Sequence, residues 1–253
     1  MHVTIRRMMT DGRVEPEPAV ALREMRDDGV AVRWMDLGDA SLADLRGRLG
    51  ELGLPDGAIA RTTDPASRFA VTVEEHAVCF NLTAPAAWWH HADRAVVHVF
   101  VLDRLLVTAH VEPFPELQRA LETMTYLDPR LPRTTFGLIT SLLGIFYRAD
   151  GNFFHVLRSR ADHMEAVLDG SVAAFRLDEL IATERAVSRV SETWLDNETA
   201  IRRMSGLALK ALDVTERART VDVLAEHARV FRQSVVELDK RLDKSHRHYE
   251  SIM

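Results

Sequence analysis

The sequence predicts an α+β chain: a mixed β-sheet covered by helices over residues 1–128, then an all-helical half over 129–253 that ends in a long stalk helix. Three observations predict it. The first half alternates β-rich runs with amphipathic stretches. Two prolines, Pro129 and Pro132, interrupt the segment Tyr126 to Pro132, and no proline follows them. At the end, Val221, Leu224, Ala228, Phe231, Val235, Leu238, Leu242, Ser245, Tyr249 and Ile252 recur at alternating steps of three and four, the 3.5-residue period of a helix that buries one stripe against other helices.

Taken in order, Val30 to Trp34 is β-branched and aromatic and reads as a strand. Ser41 then stands as the cap of a helix that carries Leu42, Leu45, Leu49 and Leu52 on one face and ends near Gly53 and Pro55. Arg68 to Val73, Ala77 to Thr83, Ala95 to Leu102 and Leu105 to His110 are further strands, and Asp103-Arg104 between the last two is a hairpin turn. Helical patterns follow from about Thr134 to Leu168, Val172 to Leu212 and Thr215 to the end, the middle one with Leu177, Leu180, Ile181, Val187, Trp194, Leu195 and Ile201 at helical spacing.

The last pattern reads as a stalk of roughly 45–50 Å at 1.5 Å per residue. A rod that outreaches its own domain favours self-association, with Phe231, Val235, Leu238 and Leu242 as the oligomer seam. A shorter run would be read as a helix packed on its own domain. With the seam at heptad positions a and d, the outward f positions are Glu226, Gln233, Lys240 and Arg247, which turn from acidic to basic along the helix. The pattern runs to Ser251-Ile252-Met253 without a Gly or Pro stop, so the helix is expected to continue elsewhere.

Composition narrows the function. With 253 residues, 47% of them hydrophobic, the chain has material for a sizeable core. A formal net charge of −6 gives no cationic field for nucleic acid. The single Cys79 sits in the apolar run Ala77 to Phe80, excludes an intrachain disulfide and reads as a buried thiol. Met1 to Arg7 has no apolar core of signal-peptide length, and Ala77 to Trp89 and Thr134 to Tyr147, the longest uncharged apolar stretches, are too short to span a bilayer.

No phosphate-loop, dinucleotide-binding, zinc-protease or nucleophile-elbow motif is present, and no catalytic residue is assigned. The cluster Trp88-Trp89-His90-His91-Ala92-Asp93, with His98, has metal-ligating side chains and would suit a metal hydrolase. Adjacent His90 and His91 point to opposite faces of a strand, however, so the favoured reading is a solvated loop with an aromatic anchor. His246 and His248 stand among Lys240, Arg241, Lys244 and Arg247 and read as a solvated helix face. Asp162, Glu165, Asp169, Asp178, Glu179 and Glu184 read likewise as charges that keep helices wet.

Several segments together resemble the cytoplasmic part of the CorA family of divalent-cation channels. Trp34-Met35-Asp36-Leu37 resembles its strand-to-helix opening, and Phe100 to Glu112 its hairpin with a Leu-x-Thr-x-His-like strand. Gly151 to Leu157, Ala161 to Val167 and Val230-Phe231-Arg232 are similar to the helices that follow. The resemblance implies an αβα domain, two antiparallel helices and a stalk that continues, in complete members, into membrane helices holding five subunits in a funnel. Those membrane helices and the family's Gly-Met-Asn loop are absent from this sequence.

It implies a regulatory funnel domain on the cytoplasmic side of the membrane that senses magnesium through subunit packing, with Co2+ and Zn2+ as alternative cations. The alternative is a pore-less cytoplasmic scaffold that binds itself or a channel through the stalk. Asp93 and Glu237 are the candidate metal ligands. Where magnesium-gated members carry a stalk carboxylate after the Phe-Arg pair this chain has Gln233, so weak binding is expected.

Overall fold

A computed structural model describes residues 1–18, 29–64, 71–73, 77–89, 95–205 and 214–252. Seven strands form one sheet: β1 (His2–Met9), β2 (Val14–Pro16), β3 (Val30–Gly38), β4 (Val71–Val73), β5 (Val78–Thr83), β6 (Val96–Val101) and β7 (Leu105–Ala109). Their order is β2-β1-β3-β7-β6-β5-β4. Among the described strands β3 and β7 pair in parallel, with Asp36 opposite Thr108, and the other pairings are antiparallel. The helices are α1 (Leu42–Glu51), α2 (Asp56–Thr62), α3 (Pro115–Thr123), α4 (Thr135–Gly170), α5 (Leu177–Ser205) and α6 (Val214–Ile252).

Alternation along the strands sends apolar side chains to both faces, because both are covered. One face packs Ile5, Met35, Leu37, Cys79, Phe100 and Val107 with Leu45 and Leu49 of α1 and Ile59 of α2. The other packs Trp34, Phe80, Leu82, Val99 and Leu106 with Leu117 of α3 and Phe136, Leu142 and Phe146 of α4. That second core continues without a break into Val187 and Trp194 of α5 and Val235 and Leu238 of α6. The expected division at 128/129 therefore separates element types but not cores.

The Ser41 cap forms as expected, its hydroxyl oxygen accepting from the Asp44 amide at 3.1 Å. Gly53 follows α1 at φ +78°, the left-handed position that glycine supplies after a helix. Thr134 caps α4 in the same way as Ser41 caps α1, accepting from the Gly137 amide. Gly137 is obligatory: a Cβ there would lie 1.9 Å from the Pro132 carbonyl oxygen.

The β1–β2 hairpin and the short helices α2 and α3 go beyond the sequence reading. In β1 the buried Ile5 and Met8 fall on opposite faces, and a register shift at Met8/Met9 breaks the period. Its Arg7 is neutralised across the pair by Glu15 at 2.7 Å. α2 and α3 span only 7 and 9 residues, too short to establish a helical period. Residues 68–70 of one expected strand and 206–212 of one expected helix lie outside the described residues.

Candidate functional site

The family-like motifs of the first half meet at one place. Trp34 and Asp36 of β3 and Thr108 of β7 share a sheet face through the parallel register, and His110 follows directly after the strand. The Trp34 indole N–H donates to the Thr108 hydroxyl oxygen at 3.0 Å, and that hydroxyl donates to Asp36 Oδ1 at 2.5 Å. His110 Nε2 lies 3.4 Å from the Asp36 carboxylate. Burial works against a charged His110, but hydrogen bonding and attraction to Asp36 outweigh it and raise its pKa. All four side chains are buried, so they brace the sheet rather than offer a surface to a ligand.

A second polar clasp joins α5 to the end of β5 and to the 3-10 turn Ala86–Trp88. The Asn197 side chain accepts from the Thr83 amide at 2.9 Å and donates to the Thr83 carbonyl oxygen at 3.0 Å, completing both backbone groups of that residue. Nearby, the Asp150 carboxylate of α4 accepts from the Trp194 indole at 2.8 Å and from the Ala87 amide at 3.2 Å. Burial pushes its pKa up to about 7 against the pull of those bonds. The sequence carried one signal for the clasp: polar Asp196 and Asn197 interrupt the apolar row Leu180, Val187, Trp194, Ile201.

The heptad stripe of α6 is filled by the chain itself. Phe231, Val235, Leu238 and Leu242, expected as the oligomer seam, are buried in a core shared with α4 and α5. The Phe231 ring stands 5.2 Å from Tyr147, 5.5 Å from Phe154 and 5.3 Å from Trp194, centroid to centroid, each edge-on or nearly so. Beside the seam, Arg241 bridges to Asp162 at 2.7 Å and Glu165 at 2.6 Å on α4. Its other flank reaches α5, where His246 lies 3.1 Å from Glu184 and Arg232 lies 3.1 Å from Glu198. A 3.5-residue period records that a helix packs between neighbours, not whether those neighbours belong to another chain.

What α6 leaves open is its outward side. Val223 and Val230 are 51% and 49% exposed. Gln233, Glu237 and Lys240 are exposed, and none makes a hydrogen bond or ion pair among the described residues. The other two f positions are spent locally, Glu226 on Arg229 at 2.6 Å and Arg247 on Asp243 at 2.6 Å.

Of the two candidate metal ligands, Glu237 stands exposed on α6. Asp93, with His90 and His91, lies outside the described residues. His98 is buried in β6 with Nδ1 2.8 Å from Asn81 Oδ1, and burial pushes its pKa down to about 4. Trp88 is buried, its ring 5.6 Å from Phe114 and 5.4 Å from Phe146. Of the acidic residues on α4 and α5, Asp162 and Glu165 serve Arg241, Asp178 pairs with Arg176, and Glu184 holds His246. Among the described residues no group of three or more His, Cys, Asp or Glu could hold a metal ion.

A family model described as CorA-like Mg2+ transporter protein matches residues 30–253. No curated protein matches the sequence significantly. Among solved structures the chain is similar to the cytoplasmic domain of ZntB from Vibrio parahaemolyticus, with a TM-score of 0.75 and 11% identity over 99% of this chain and 98% of that one. It is similar to the soluble domain of CorA from Methanocaldococcus jannaschii, with a TM-score of 0.65 and 16% identity over 100% of this chain and 95% of that one. Against the complete CorA magnesium transporter of the same organism the TM-score is 0.63 at 13% identity, covering 100% of this chain and 80% of that one. At these identities the likeness establishes the fold. Among the described residues no helix is long and apolar enough to cross a membrane.

Proposed function

The chain belongs to the CorA-like Mg2+ transporter family, and on that premise we propose that it is the cytoplasmic regulatory part of a divalent-cation transporter, sensing the cation through packing between copies of itself. One observation carries the reading: α6 is 39 residues long, about 58 Å at 1.5 Å per residue, and between Val223 and Lys240 its outward side keeps Val223, Val230, Gln233, Glu237 and Lys240 exposed. Its seam is already occupied, so copies associate through Val223 and Val230 and the polar positions beside them, with five copies in the assembly if membrane helices hold them together.

Glu237 supplies one carboxylate to a cation shared between copies, and Asp93 is the other candidate. Magnesium dehydrates reluctantly and needs converging negative charge. Gln233 contributes a neutral amide, and Lys240 repels the ion within a Debye length of roughly 8–10 Å. Binding is therefore weak, and Co2+ or Zn2+ would occupy the same place.

Sedimentation velocity of the full chain tests this. Millimolar magnesium should shift the chain towards larger species, Gln233→Asp should strengthen the shift, and Val230→Glu should abolish it. A monomer at every magnesium concentration in all three proteins, or low-micromolar binding by a chain that stays monomeric, would overturn the reading.

A further inference from the structure

Away from the seam, α4 and α5 leave between them an open groove of about 790 Å3, within the range of ordinary small-molecule sites. Its apolar lining is Val156 and Met164 of α4 and Ala182 of α5, of which Met164 is buried. The groove exists because α5 presents short side chains there: Ala182, and Thr183, whose hydroxyl is turned back to the Glu179 carbonyl oxygen at 2.8 Å.

The rim is rich in nitrogen donors. His155, Arg160 and His163 are exposed along it, and none makes a hydrogen bond or ion pair among the described residues. Other arginines of α4 and α5, such as Arg158 and Arg185, also make no ion pair among the described residues. Arg160 differs from them in lining the groove beside Val156, Met164 and Ala182, where a carboxylate or phosphate would meet a permanent charge and a two-pronged donor. His155 and His163 stand eight residues apart on α4, about 12 Å along the axis, too far to share one metal ion. Glu179, the lining carboxylate, lies in the first turn of α5 at the end nearest the α4–α5 connection, and it repels an anionic group from that end.

We propose that this groove binds a single-chain amphipathic organic anion, its apolar body over Val156, Met164 and Ala182 and its carboxylate or phosphate head on Arg160. The site is distinct from the outward stripe of α6 and does not depend on magnesium or on association between copies.

Decanoate and decyl phosphate, titrated into the full chain by calorimetry, test it, with decanol and decyltrimethylammonium as uncharged and cationic counterparts. Both anions should bind, the counterparts at least tenfold more weakly, and Arg160→Gln should cost the anions about tenfold, the scale of a lost charge-assisted contact. Ala182→Phe should abolish the heat by crowding the groove while leaving the helical circular dichroism unchanged, since Ala182 is exposed. Tighter binding of one anion supports the proposal and identifies the head group. Absence of binding, equal binding of the cationic counterpart, or affinity unchanged in both Arg160→Gln and Ala182→Phe would overturn it.

Discussion

The Trp194 indole N–H donates to the Asp150 carboxylate at 2.8 Å, joining α5 to α4 through a side chain that no cation among the described residues neutralises. Asp150 is fully buried, and the backbone amides of Ala87, at 3.2 Å, and of Ala86 also donate to it. The carboxylate is thus satisfied by dipoles alone, which is why burial dominates its protonation.

A pH dependence follows. The folded-state pKa of Asp150 is raised from 3.8 to about 7, so the native state holds the proton more tightly than the unfolded chain. The protonated group stabilises the fold at low pH, and that contribution is lost as pH rises from about 4 to about 7, with a ceiling of roughly 4 kcal/mol. Asp150→Asn should remove this slope from the urea-unfolding free energy. A variant with the same slope as the unmodified protein would contradict the assignment.

His98 works in the opposite direction. Its pKa is lowered from 6.5 to about 4 by burial, so its contribution is present above pH 6.5 and is lost as pH falls towards 4. In the Asp150→Asn background the remaining curve should bend downwards below pH 6.5, and His98→Gln should flatten that bend. An unaltered bend would show that His98 is not its source.

The stripe of α6 makes a packing prediction. Phe231→Ala removes a ring packed against three aromatic neighbours and should cost about 3–5 kcal/mol, whereas Gln233→Ala should stay within about 0.5 kcal/mol. Thermal melts of the two variants would settle it, and equal losses would place the stripe elsewhere.

Asn197→Leu should cost about 2–6 kcal/mol, because it strands both the Thr83 amide and the Thr83 carbonyl in a buried place at about 1–3 kcal/mol each. Native-state hydrogen exchange should show the Thr83 amide losing protection selectively. Protection unchanged at Thr83 would mean the clasp is not formed.

Gly137→Ala should destabilise the chain by about 1–3 kcal/mol or more, since the added carbon would meet a backbone oxygen 1.9 Å away that has no rotamer to retreat into. A melting temperature equal to that of the unmodified protein would argue against the Pro132 approach.

Local signals were legible wherever a residue acts on its own neighbourhood. Ser41 could be read as a cap because a cap bonds three residues ahead, and the Asp103-Arg104 turn because a hairpin closes on itself. The stalk was legible as a helix from its period alone. What filled its stripe was not, because Phe231 meets Tyr147 and Trp194 across long sequence separations that no period encodes. The same holds for Asp150 and Asn197, polar residues whose burial is set by partners on other elements. Of the expected ligands, Glu237 lies exposed and unpaired, while Asp93 stands outside the described residues.

Arg241 grips α4 and His246 grips α5 from opposite flanks of one helix. A slip of α6 by one turn, about 5.4 Å, would keep the apolar stripe facing its neighbours but tear both grips at once and put Ala228 or Val235 where the Phe231 ring now stands. Pushed or pulled along its axis, α6 therefore behaves as the middle bar of a riveted truss: load at its far end is carried by all three helices and delivered to the sheet at the rivets formed by Asp150 and Asn197.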